Sequence, residues 1–177
     1  MYEAEIARLF EREGGGTYTD RPGDRGGPTR WGITLATLER VRRRPCTADD
    51  VRTLTATEAM RIARAEFVVR PRFHLVADAL LREQLVDFGY VSGPERAIRW
   101  LQRVMGTPVT GHLDDEMLAT LHQVPARLVN NGLVAARLYM IDSMTDSHLS
   151  QRQFEEGWEN RALAFLDPIV RVLEAPR

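Results

Sequence analysis

Apolar residues recur at helical spacing along most of this 177-residue chain, and the pattern is interrupted once near its start. At the N-terminus, Tyr2, Ile6, Leu9 and Phe10 fall on one face, which predicts an amphipathic helix over residues 2–13. The chain is therefore expected to begin with a helix whose apolar stripe packs against the rest of the protein.

Residues 14–34 do not continue the helical pattern. They are rich in glycine, threonine, aspartate and proline, which is typical of a loop with short strands. The stretches 17–19 and 29–33 have the most strand-like composition. We therefore predict a small β-hairpin that follows directly on the end of the first helix.

Helical periodicity returns after Thr34. Thr55 and Glu58 have the spacing of a capping box, which predicts the start of a helix. The predicted helical segments are 35–43, 47–54 (a single short turn), 55–69, 75–88, 94–105, 113–121, 126–146 and 151–174. The sequence therefore predicts a mainly α fold with one β-hairpin. A turn at 89–94 divides the chain into regions 1–90 and 91–177. Because this turn is short, it stays open whether both regions share one core.

Composition and charge exclude several classes of function. The net charge is -1, so no global electrostatic attraction draws the chain to nucleic acid. No stretch reaches the about 20 apolar residues of a membrane span, so we expect no stable membrane insertion. The basic run at 40–44 is expected to be a solvated helix end, and Cys46 is the only cysteine, which fits a reducing compartment. We expect a monomer.

The N-terminus has neither the basic start nor the uninterrupted apolar core of a Sec signal. We therefore expect synthesis in the cytoplasm and, if the substrate lies in the periplasm or cell wall, action there after assisted release.

Glu13 is the first candidate functional residue, because it combines a helix end with the apolar stripe. It lies four residues after Leu9 and precedes three glycines, 14–16, which can end a helix in the left-handed conformation. Burial and the negative end of the helix dipole both disfavour the ionised carboxyl, so we expect a raised pKa. A protonated carboxyl is what general-acid cleavage of a glycosidic bond requires. The alternative is a helix-end glutamate directed to solvent.

Asp20, Asp24, Thr29 and Thr34 follow in the predicted loop and hairpin and could supply the second group of a glycosidase. Such a group activates water or stabilises positive charge opposite the proton donor. The alternative is that the aspartates only close turns. The four histidines lack metal-ligand spacing, so we expect no metal and no cofactor.

Residues 12–34 resemble the opening signature of glycoside hydrolase family 108. Glu13-Gly14-Gly15 is similar to its start and 26–34 to its end, while 154–161 resembles the closing signature of the associated C-terminal peptidoglycan-binding domain. The resemblance implies a lysozyme-like α+β fold and an N-acetylmuramidase that acts on peptidoglycan without a cofactor.

The resemblance also implies roles for individual residues. Glu13 matches the family's catalytic acid, Asp24 its loop aspartate, and Thr29 and Thr34 the two hairpin threonines. The loop between the two glycine motifs is longer than in the family pattern, so the choice between Asp20 and Asp24 stays open. The remaining candidate substrate-binding residues are Asp20, Trp31, Thr34, Tyr18 and Tyr90, with Trp31 as the best candidate platform for a sugar ring.

The predicted reaction is hydrolysis of the β-1,4 bond between N-acetylmuramic acid and N-acetylglucosamine. It would serve cell lysis by an endolysin or wall opening for export, with a holin or secretion machinery as the partner. The alternatives are a lytic transglycosylase that cuts the same bond and a non-catalytic peptidoglycan-binding protein.

Overall fold

The computed structural model describes residues 2–20 and 27–166 of the chain. Its fold is mainly α with one two-stranded antiparallel sheet, as predicted. The elements in chain order are α1 (Glu3–Arg12), β1 (Thr29–Arg30), β2 (Ile33–Thr34), α2 (Leu35–Arg42), α3 (Ala48–Arg52), α4 (Ala56–Ala63), a π-helix (Arg64–Val69), a 3₁₀-helix (Phe73–Leu75), α5 (Ala79–Ser92), α6 (Pro94–Met105), α7 (Asp115–Gln123), α8 (Ala126–Ser147), a second 3₁₀-helix (Leu149–Phe154) and α9 (Glu155–Leu163).

The chain divides into two compact units, Met1–Pro71 and Arg72–Arg177. The turn expected at 89–94 is shorter than predicted, because α5 continues to Ser92 and only Gly93, with φ 89°, separates it from α6. The geometric division therefore falls near residue 71, whereas the functional division into regions 1–90 and 91–177 stays a prediction.

In the first unit, α1 buries the predicted apolar face. Ile6, Leu9 and Phe10 are all at most 4% exposed, and α1 packs against α4. The helix ends one residue earlier than its apolar pattern suggests, so Glu13 is the capping residue rather than a member of the last turn.

The hairpin differs in detail from the prediction. Thr29 pairs with Thr34 and Arg30 with Ile33, so the segment predicted as one strand contains the reversal itself. Trp31 and Gly32, with φ 56° and 71°, form the two-residue turn. The predicted strand at 17–19 contributes one isolated bridge, from Thr19 to Thr29. The prediction was wrong here because tryptophan rarely adopts a positive φ and gives no turn signal.

The capping box predicted at Thr55 is only half formed. The Thr55 hydroxyl accepts a hydrogen bond from the N–H of Glu58, but the Glu58 carboxylate pairs with Arg42 at 3.1 Å. The full reciprocal box lies at Thr47 and Asp50. Arg42 belongs to the basic run at 40–44, so part of this run pairs with carboxylates and is not simply a solvated helix end.

The second unit is a helical cluster in which α5 packs against α6 and α8, and α8 against α9. Its interior contains polar groups that are satisfied within the core, as when Asn130 Nδ2 donates to the Phe165 carbonyl at 2.8 Å. None of the helices in the described ranges is long and apolar enough to span a bilayer. The last predicted helix, 151–174, is observed as a 3₁₀-helix and α9, and residues 167–174 lie outside the described part.

Candidate active site

Glu13 lies where α1 ends. Its N–H donates to the carbonyls of Leu9 and Phe10, at 3.1 and 3.2 Å, and its side chain is half-buried. Gly14–Gly16, here called the glycine turn, follows with φ values of 80°, 63° and 83°. Three successive left-handed residues are accessible at low cost only to glycine. The sequence therefore forces the chain to reverse immediately after the candidate acid.

The hairpin holds the end of the glycine turn. Gly16 is buried, and a Cβ built on it would lie 2.4 Å from the Trp31 ring, so the indole packs directly on its backbone. The Trp31 ring also lies 5.2 Å from the ring of Phe10. Arg30 Nε donates to the Gly16 carbonyl at 2.9 Å, and its Nη1 donates to the carbonyl of Arg52. The hairpin thereby fixes the turn that follows Glu13.

The two hairpin threonines are both half-buried and hydrogen-bonded within the chain. Thr29 Oγ1 donates to the Gly27 carbonyl at 3.0 Å. Thr34 is the N-cap of α2, where its Oγ1 accepts from the N–H of Thr37 at 3.2 Å. Thr34 therefore has a structural role whether or not it also contacts substrate.

Tyr18 and Asp20 form a pair on the same unit. The Tyr18 hydroxyl donates to Asp20 Oδ2 at 3.1 Å, and the Arg52 guanidinium lies 4.5 Å from the centre of the Tyr18 ring. Asp20 is exposed and Tyr18 is half-buried, so both can be reached from solvent. Asp24 lies outside the described residues.

The structure thus places six predicted site residues in the first unit: Glu13, Tyr18, Asp20, Thr29, Trp31 and Thr34. Tyr90 belongs to the second unit, where it is 9% exposed within α5. Arg30 was not predicted as a site residue, because no sequence pattern indicates that an arginine in a short strand donates a hydrogen bond to a carbonyl fourteen positions earlier. Within the described ranges, no cluster of three histidine, cysteine, aspartate or glutamate residues could hold a metal ion.

Comparison with known proteins adds independent evidence. The model of the family described as glycosyl hydrolase 108 matches residues 6–93, a range that includes Glu13, the glycine turn and the hairpin. Among solved structures, Brucella abortus SagA is similar with a TM-score of 0.76 and 31% sequence identity, covering 93% of this chain and 94% of that one. Comparison with curated proteins gave no match. The chain belongs to glycosyl hydrolase family 108 and is a glycoside hydrolase that acts on peptidoglycan.

Proposed function

We propose that this protein is an N-acetylmuramidase with Glu13 as its general acid. The bond it hydrolyses is the β-1,4 linkage between N-acetylmuramic acid and N-acetylglucosamine. The observation that carries the proposal is the position of Glu13, half-buried at the end of α1 and followed by a glycine turn that the hairpin clamps. A catalytic carboxyl acts well only when its surroundings hold it in one place, and this clamp provides that rigidity.

In the proposed reaction, Glu13 donates a proton to the leaving oxygen while positive charge develops on the sugar ring. Water then attacks the ring carbon, positioned by Asp24 or Thr29. Because Thr29 Oγ1 already donates its proton to Gly27, its oxygen could only accept a hydrogen bond from that water. Thr29 would therefore orient the water, while removal of its proton would require a carboxylate such as Asp24 or Asp20.

We propose that Tyr18, Asp20, Trp31, Thr34 and Tyr90 are the substrate-binding residues. The accessible pair of Tyr18 and Asp20 offers a phenol ring and a carboxylate for sugar hydroxyls. Trp31 uses part of its ring surface on Gly16 and Phe10, so only its remaining exposed part is left for a sugar.

The cellular role completes the proposal. The protein would be made in the cytoplasm and would act as a monomer in the periplasm or wall after assisted release. A holin or secretion machinery would provide that passage, for lysis or for export through the wall. Region 91–177 would bind peptidoglycan, consistent with its closing motif at 154–161.

The test compares wild type with Glu13→Gln on purified peptidoglycan, measured as loss of turbidity. Glu13→Gln should fold normally and lose on the order of a hundredfold or more of the activity, as expected when general-acid catalysis is removed. Glu11→Gln is the matched control, because Glu11 is an exposed carboxylate on the same helix. Equal activity of the two variants would exclude Glu13 as the acid.

A further inference from the structure

The second unit contains a cavity of about 320 Å³ between the C-terminal part of α5 and helices α6, α8 and α9. This volume lies at the lower end of the range of about 300–1,000 Å³ for ligand sites. Its apolar wall includes Val91, Met140, Met144 and Trp158, and Val91 is 48% exposed. Methionine side chains adapt to irregular apolar ligands, so this wall suits small aliphatic groups.

The polar part of the lining is dominated by arginine. Arg96, Arg137 and Arg161 line the cavity, and no carboxylate occurs among the described residues that line it. A guanidinium presents several N–H donors and accepts no hydrogen bond. The lining is therefore rich in donors and in positive charge, a combination that suits a ligand with a carboxylate.

Two of these arginines are held in place from behind the wall. Arg137 Nη2 donates to Asp87 Oδ2 at 2.9 Å, and Arg161 Nε donates to Asp87 Oδ1 at 3.0 Å. Asp87 is 1% exposed, and the Arg137 guanidinium also lies 5.1 Å from the centre of the Phe88 ring. Both side chains are thus oriented before any ligand arrives, which lowers the entropy cost of binding.

We propose that this cavity binds a short aliphatic peptide through its carboxylate, namely the peptide stem of peptidoglycan. The identification of this peptide as the stem of peptidoglycan rests on the proposed function. A stem combines free carboxylates with alanine methyl groups, matching the arginines and the methionine wall. The glycan is neutral and needs acceptors as well as donors for its hydroxyl groups, and among the lining side chains only Ser92 and Gln151 offer oxygen acceptors. The second unit would therefore recognise the peptide rather than the sugar chain.

The experiment titrates the full-length chain with the synthetic stem peptide L-Ala–γ-D-Glu–L-Lys–D-Ala–D-Ala by isothermal calorimetry. We expect saturable binding that weakens with added salt and falls at least tenfold when the carboxyl groups of the peptide are amidated. A neutral N-acetylglucosamine oligomer should not displace the peptide. Equal binding of the free and amidated peptides, or no binding at several millimolar peptide, would overturn the proposal.

Three variants locate the site. Arg96→Gln removes an exposed lining cation and should weaken binding several-fold. Arg127→Gln removes an exposed arginine of α8 that does not line the cavity, so its affinity should stay at the wild-type value. Met140→Trp should fill the cavity and abolish binding while the circular dichroism spectrum stays native. Equal effects of the two arginine variants, or full binding by Met140→Trp, would place the peptide elsewhere. The titration measures binding and involves no cleavage. A protein that binds the peptide but does not lyse the wall would therefore contradict the proposed function and leave the peptide site unaffected.

Discussion

Replacing Gly16 by alanine tests whether the hairpin clamps the turn after Glu13. The added Cβ would lie 2.4 Å from the Trp31 ring, and the residue would keep a φ of 83°. The positive φ costs about 1–2 kcal/mol for a residue with a Cβ. Overpacking against a fixed ring adds about 1–3 kcal/mol. We therefore expect Gly16→Ala to destabilise the first unit by about 2–5 kcal/mol, the sum of these two costs.

Gly15→Ala is the matched control, because Gly15 has a φ of 63° and nothing within 4 Å of an added Cβ. It should show the backbone cost alone, about 1–2 kcal/mol. Urea unfolding can be followed by the fluorescence of Trp31 in a background where Trp100 and Trp158 are replaced by phenylalanine. Equal destabilisation by the two glycine variants would refute the contact between Trp31 and Gly16.

Three further predictions concern Arg30, Asp50 and Asp87. Arg30→Ala should lower lytic activity without abolishing it, because the Gly16 carbonyl loses its hydrogen bond; wild-type turnover on purified peptidoglycan would contradict the clamp. Hydrogen bonds from the N–H of Thr47 and from the Arg44 guanidinium lower the pKa of Asp50 to about 2. The ionised Asp50 therefore stabilises the fold above the ordinary pKa of a carboxyl, and this stabilisation is lost as pH falls towards 2. Asp50→Asn should therefore lower the melting temperature at pH 7 but hardly at pH 2. Equal losses of melting temperature at pH 7 and pH 2 would contradict the lowered pKa. Asp87→Ala should lower the free energy of unfolding in urea by about 3–5 kcal/mol, because it leaves the buried guanidinium of Arg137 and the half-buried one of Arg161 without their shared carboxylate. A loss below about 1 kcal/mol would contradict that pairing.

The apolar face of α1 and the position of Glu13 could be predicted, whereas the hairpin turn and the long-range contacts could not. Helix α1 follows from the spacing of Ile6, Leu9 and Phe10, and the position of Glu13 follows from the glycines after it. The hairpin was correctly placed, but its turn was not, because packing of Trp31 on Gly16 overrides the poor fit of tryptophan to a positive φ.

The cluster around Asp87 shows a second limit of sequence reasoning. Its arginine partners lie 50 and 74 positions further along the chain, and no local pattern connects them. The candidate peptide cavity could not be predicted from the sequence either. Its lining comes from four helices and a 3₁₀-helix that only the tertiary fold brings together. Sequence periodicity therefore identifies faces and ends of helices, whereas sites built between helices require the structure.

Mass spectrometry of the products tests the central claim most directly. Purified peptidoglycan is digested by the wild-type chain in water labelled with heavy oxygen, and the new sugar ends are identified. A muramidase that uses water should release fragments ending in reducing N-acetylmuramic acid, each carrying one labelled oxygen. Fragments ending in unlabelled 1,6-anhydro-N-acetylmuramic acid would show a lytic transglycosylase and contradict the account.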